Sequence, residues 1–371
     1  MERRSQAGRQ IIHIEILRIL AMLFVVFNHT TDVGFFLFRS CATGSVGFWM
    51  HLFNAIFIKA GAPLFFMISG ALLIPRQEES IGQVFRKRIL KYGFILLAAS
   101  LVYAYLNHAF GIVDYTPQTL WRGIYSSGIM YHLWFLYGYI AFLMLLPVLR
   151  RFAPALKDEH YRYLIALHAV FRLISVVEYL TNGLSYSIKV ELVPLLPWNA
   201  IVYPLIGYYV EHRLDVKRMK KRTLAGLWAI DILMILLCAY ATYVKGLAEG
   251  EFTEARSQMF FNTFVFFNAF VIYVTVKRIF GDVKYSERIR RIICNIGSCC
   301  FGIYLLHPAV KLCVERWQGF FAWLDQSGLP RILRGWIFTG CLWLGSLAVT
   351  EAYKWIAGRI RGALGTARKK A

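Results

Sequence analysis

Long apolar runs recur along this chain, separated by short segments rich in Lys and Arg. Each run is close to the roughly 20 residues of helix that cross a ~30 Å hydrocarbon core. Ten runs are read, at approximately 11–31, 47–74, 89–108, 132–149, 163–181, 194–211, 223–244, 258–277, 292–314 and 333–356. The second and ninth are long enough to tilt or to begin outside the core. The predicted fold is therefore all-α and polytopic. Charged residues make up only 17% of the 371, against about a quarter in soluble domains.

The basic residues test the span count. Segments 1–10, 75–91, 150–162, 211–222, 277–291 and 354–371 hold 30 of the 42 Lys and Arg, and the alternate loops hold 8. Cytoplasmic loops carry the Lys/Arg excess, so both termini are expected in the cytoplasm. MERRSQAGRQ leads directly into a full-length span, so no cleavable signal peptide is expected. A single membrane domain over 1–371, with no appended soluble domain, is the economical reading. No internal repeat is visible, which weakens a transporter built from inverted halves.

The net charge of +21 would suggest nucleic acid in a soluble protein. Here it sits in short loops, where its partner is an anionic leaflet. No basic, aromatic-studded soluble domain exists to bind nucleic acid. The seven cysteines form no CxxC pair and no Cys/His ligand spacing, so no metal is expected.

Charged side chains inside a bilayer cost ~2.5–3.5 kcal/mol on insertion scales and tend to face a protein interior or wet cavity. Arg18, Lys59, Arg172 and Lys311 fall inside the expected spans, as do Glu15, Glu178, Asp231 and Glu351. Glu15 and Arg18 are three apart and can pair. Arg18 and His29 are eleven apart, within about 20° of a whole number of turns, with a rise of about 16 Å. Glu15, Arg18 and His29 thus share a stripe, Arg18 toward the cytoplasm and His29 toward the outer side. By itself this also fits a structural ion pair and an interfacial histidine. In the second span Pro63 can break the backbone ladder, while Ser69 and Gly70 permit close helix approach or a hydrogen bond. Arg86, Lys87, Arg88 and Lys91 follow, as positive-inside charge or as phosphate ligands. His132 and Trp134 open the fourth span at the outer interface. Tyr304 and His307 share a face of the ninth, with Pro308 next.

These pieces, in order, resemble the acyltransferase-3 family of integral membrane acyltransferases. Arg18, ten residues, then His29 is similar to the family's Arg/Lys-x10-His signature, with Glu15 where an Asp is usual. LFFMISGALL (64–73) resembles its Phe-Phe-x-x-Ser-Gly segment. Arg88-Ile89-Leu90-Lys91 resembles its Arg-x-x-Arg motif, with Lys last. HLWFL (132–136) and GIYLLHP (302–308) also match. The resemblance implies transfer of an acyl group, most often acetyl, from cytoplasmic acyl-coenzyme A to a hydroxyl of a glycan or related envelope molecule outside. It implies a catalytic set of His29 as base with Arg18, as a positioning or channel residue, and Glu15. Arg88 and Lys91, with Arg86 and Ser69, become candidates for binding acetyl-coenzyme A. His132, Trp134, Tyr304 and His307 become candidates for the acceptor. The expected location is the cytoplasmic (inner) membrane of the cell. Two rivals stay open: a transporter or flippase for a lipid-linked or anionic solute, and a noncatalytic subunit of a polysaccharide-assembly machine.

Overall fold

A computed structural model describes residues 11–76, 79–182, 200–253 and 260–368. It is 81% helical, with no strand among the described residues. The helices that position the site are α1 (Ile12–Asn28), α2 (Val46–Ile58), α3 (Gly61–Leu73), α4 (Leu90–Ala109), α5 (Trp134–Ala155), α6 (Asp158–Asn182), α7 (Val202–His212), α8 (Lys221–Glu249), α9 (Val265–Phe280), α10 (Glu287–Val314), α11 (Gln318–Gln326) and α12 (Arg331–Arg368). Among the described residues six helical stretches are long and apolar enough to cross a membrane: Val46–Leu73, Ile81–Ala109, Tyr131–Ala155, Lys221–Glu249, Glu287–Val314 and Arg331–Ile360. Helices α1, α7 and α9 are shorter, at 17, 11 and 16 residues. The first part of the expected span 194–211 and the side chain of Glu178 lie outside the described residues.

Two local features depart from simple spans. Helix α1 stops at Asn28 rather than 31, because the chain turns sharply there. Thr31 adopts φ 49°, a region that a β-branched residue rarely enters. The buried Thr30 hydroxyl holds the turn, donating to the Phe27 carbonyl at 2.6 Å and accepting from the Phe35 N–H at 3.0 Å. The second expected span divides into α2 and α3 at Lys59–Ala60. Pro63 explains the position: a proline ring clashes with the carbonyl four residues earlier and offers it no N–H.

Small residues let the helices touch through their backbones, as in other membrane bundles. A Cβ on Gly70 of α3 would sit 2.0 Å from the Pro204 carbonyl oxygen of α7, and one on Gly207 would sit 1.9 Å from that of Met67. Helix α1 lies at the centre, against α2, α3, α9, α10 and α12. Its partner α10 meets it at two levels. A Cβ on Gly297 would strike the Glu15 carboxylate at 2.1 Å, and ten residues later His307 meets His29. Glu15 with Gly297 and His29 with His307 make α1 and α10 run parallel.

Candidate active site

A cavity of about 1110 Å³ runs beside α1 and is lined by both Arg18 and His29. Eleven residues of helix, about 16 Å, separate them. At the Arg18 level its wall is Gly297, Ser298 and Cys300. Phe65, Ser69, Tyr92, Phe135, Tyr139 and Phe301 line it as well, and at the His29 level it meets Thr31, Tyr131, His132 and Trp134. The aromatic residues pack edge to face, Tyr92 against Tyr139 at 4.8 Å and against Phe301 at 5.6 Å. Three of the four intramembrane cations of the sequence, Arg18, Lys59 and Arg172, line this same cavity.

At the inner level Arg18 Nη1 donates to both oxygens of the Glu15 carboxylate, at 2.8 and 3.1 Å. The carboxylate is buried and the guanidinium partly exposed, with side-chain exposures of 4% and 28%. Arg18 therefore presents its charge to the cavity while Glu15 anchors it from behind.

At the other level His29 caps the C-terminus of α1. Its Nδ1 and His307 Nε2 lie 2.8 Å apart, with the two rings nearly parallel at 5.0 Å between centroids. His307 is fully buried and its Nδ1–H donates to the carbonyls of Ile303 and Tyr304 at 3.1 and 2.9 Å. Tyr131 leans on the His29 ring at 4.7 Å. His132 is 1% exposed, and neither ring nitrogen has a hydrogen-bond partner. Its ring packs against Tyr103, Tyr304 and His307 at 4.9, 5.3 and 5.5 Å, and its carbonyl accepts from the Tyr304 hydroxyl at 2.8 Å. Trp134 lines the cavity half-exposed, and the Ser69 hydroxyl, also in the wall, donates to the Phe65 carbonyl at 2.7 Å.

The basic motif lies apart from that wall. Ser80 forms a reciprocal cap with Gln83, at 3.1 and 3.3 Å. The cap starts the helical turn at 81 and fixes the chain so that Glu79 reaches Arg88. Arg88 donates twice to that carboxylate, both at 2.8 Å. Arg150 donates to the same carboxylate at 2.8 Å and to the Leu73 carbonyl at 3.1 Å. Arg86 and Lys91 are exposed on the neighbouring turns. Among the described residues no three His, Cys, Asp or Glu side chains are arranged to hold a metal ion.

The model of an acyltransferase domain, that of the acyltransferase-3 family, matches residues 11–351. The chain belongs to the acyltransferase-3 family. Comparison with curated proteins and with solved structures found no match. The family match and the apolar helices together make the protein a membrane acyltransferase.

Sequence reasoning missed several neighbours of the site. Tyr131 adjoined a noted histidine, but nothing in its spacing pointed at His29. Arg150 counts among the basic residues of segment 150–162, although it is 4% exposed, and nothing in the sequence singles out Glu79. An arginine next to an apolar run, Leu145–Leu149, was the only available sign that it is buried.

Proposed function

We propose that this protein carries an acyl group, acetyl in the first instance, from cytoplasmic acyl-coenzyme A to a hydroxyl of a cell-envelope or surface glycan on the outer side. The observation that carries the reading is the one cavity lined by Arg18 at one level and His29 some 16 Å of helix away. A donor entering from below and an alcohol entering from above can meet in it.

The topology behind this reading has ten spans, both termini in the cytoplasm and the cytoplasmic membrane as location. Contacts between helix ends support it. His13, Glu211, Tyr273 and Lys277, all at expected cytoplasmic ends, gather round the Glu211 carboxylate. Arg331 donates to the Ser40 carbonyl and Arg316 to that of Phe110, joining expected outer loops. The parallel course of α1 and α10 suits a first and a ninth span.

The bulky nucleotide stays in the cytoplasm, its phosphates near Arg88 and Lys91, with Arg86 beside them. Arg88 is already held by Glu79, so a phosphate takes its fork by displacing that carboxylate. The slender pantetheine arm passes Ser69 and the aromatic wall to bring the thioester toward His29. His132, Trp134 and Tyr304 serve as the acceptor end, and His307 backs it from behind His29. His29 takes the hydroxyl proton as the alcohol oxygen attacks the thioester carbonyl. When the C–S bond breaks, that proton passes to the sulfur, coenzyme A leaves as the thiol, and the imidazole returns to its starting form. Arg18, anchored by Glu15, orients the arm from the cytoplasmic side.

The test is acyl transfer in membranes carrying His29→Ala, followed by release of coenzyme A thiol in the presence of acceptor. Loss of acceptor-coupled thiol release supports the reading, and wild-type turnover removes His29 from the chemistry. Solute flux without any acyl donor would favour a transporter instead. Mass spectrometry of envelope glycans from cells with and without the protein identifies the acceptor by the lost acyl increment.

A further inference from the structure

Helix α10 carries a proline in its interior, immediately after the histidine that touches His29. In an unbroken α-helix the N–H of residue 308 would donate to the Tyr304 carbonyl. Proline has no N–H, so that carbonyl is left without its backbone donor inside the protein, where an unmet acceptor is costly. The ring of His307 supplies the donor, with Nδ1 2.9 Å from the Tyr304 oxygen and 3.1 Å from that of Ile303.

A carbonyl oxygen only accepts, so the hydrogen in these contacts sits on His307 Nδ1. In a neutral imidazole the other nitrogen is then an acceptor. His307 is 0% exposed, and no carboxylate among the described residues bonds to it. An unpaired buried charge is strongly disfavoured, so the neutral ring is the form this environment holds. The 2.8 Å contact between His307 Nε2 and His29 Nδ1 must therefore use a hydrogen that belongs to His29. The same rule then applies once more: with Nδ1 protonated, neutral His29 keeps a bare lone pair on Nε2, on the ring edge left for the cavity.

We infer that Pro308 and His307 are positioning residues that set the tautomer of His29, Pro308 by withholding a backbone N–H and His307 by relaying the consequence across to α1. This rests on the reading of His29 as the base. It explains why an imidazole can serve where a triad would place a carboxylate. Orientation and tautomer come from two backbone carbonyls through one intervening ring, and no acidic side chain is required.

Histidine ¹⁵N NMR of the substrate-free full chain in nanodiscs reads the tautomers directly. The expected spectrum has both His29 and His307 protonated at Nδ1 and bare at Nε2. A His29 protonated at Nε2 overturns the inference, whatever the activity. Steady-state kinetics with acetyl-coenzyme A give a second readout. Pro308→Ala restores the missing N–H and removes a helix breaker. A proline with only a structural role predicts unchanged turnover, whereas the inference predicts kcat lower by about 10-fold with the donor KM unchanged. His307→Leu should lose up to about 10⁴-fold in kcat, the scale of a wrong tautomer in a serine-protease triad. His307→Gln, whose amide both donates and accepts, should stay within about 10-fold of wild type on the same scale. Equal losses in the Leu and Gln variants, or wild-type kcat in Pro308→Ala, would refute it. Full activity in His29→Ala would instead remove the acyl-transfer role of His29 and leave the measured tautomers standing.

Discussion

Glu79 satisfies two guanidinium groups at once, and its ionisation records the fact. Hydrogen bonds from Arg88 hold its carboxyl at about 2, below the ordinary carboxylate range; partial desolvation opposes them, and the bond from Arg150 adds to them. The folded value lies below the unfolded value of about 4.3, so the stability it contributes is complete above that pH. It is lost as pH falls from there toward about 2. Thermal unfolding in detergent between pH 5 and 3 should therefore fall more steeply for wild type than for Glu79→Gln; equal slopes would remove the linkage. Glu79→Ala has a further cost at neutral pH. Arg150 is 4% exposed and its Nη1 already has no partner, so taking away the carboxylate leaves a buried charge uncompensated. A loss of about 3–5 kcal/mol is expected by the same melts. None of this was legible in the sequence, because 71 residues separate Glu79 from Arg150. The Glu15–Arg18 pair was legible, since an i,i+3 spacing on a helix brings side chains together without tertiary help.

Helices in this protein are positioned by what their residues lack. Pro63 lacks an N–H and divides α2 from α3 at Lys59, where a cation enters the cavity wall. Gly70 and Gly207 lack side chains, and α3 and α7 cross there at backbone contact. Gly70→Ala should destabilise the protein by about 1–3 kcal/mol or more, as overpacking does. Gly226→Ala, where nothing lies within 4 Å of an added Cβ, should be neutral or stabilising by up to about 1 kcal/mol. Thermal melts of the two purified variants decide the matter, and equal effects would mean that the crossing is looser than described. The Ser-Gly step was visible as a site of close approach. Its partner was not, because a glycine says that something comes near without saying which helix it is.

For the whole molecule, topology is the property most open to direct test. A single cysteine in a cysteine-free background at Val46, which is 85% exposed, should react with a membrane-impermeant maleimide added outside intact cells. One at Arg86 should react only after the inner face is opened. The reverse pattern, or labelling of both from one side, would overturn the orientation on which donor and acceptor access depend. In the function proposed above, the same frame makes the cavity a meeting place: a compartment confined to one half of the bundle could not receive a cytoplasmic donor and an external alcohol.

Hydropathy and charge alternation are local properties of the chain, set by the energy of moving each segment into lipid. Read without a structure, they establish a helical membrane protein and lead, with the ordered motifs, to the acyltransferase-3 family. The ordered motifs, through that resemblance, also nominate His29. What surrounds His29 is a different kind of fact. That α10 runs parallel to α1, that a proline 279 residues later frees a carbonyl for His307, and that Arg150 faces Glu79 are all pairings between distant segments. Such pairings follow from helix packing, whose energy depends on every helix together, and only the folded arrangement decides them.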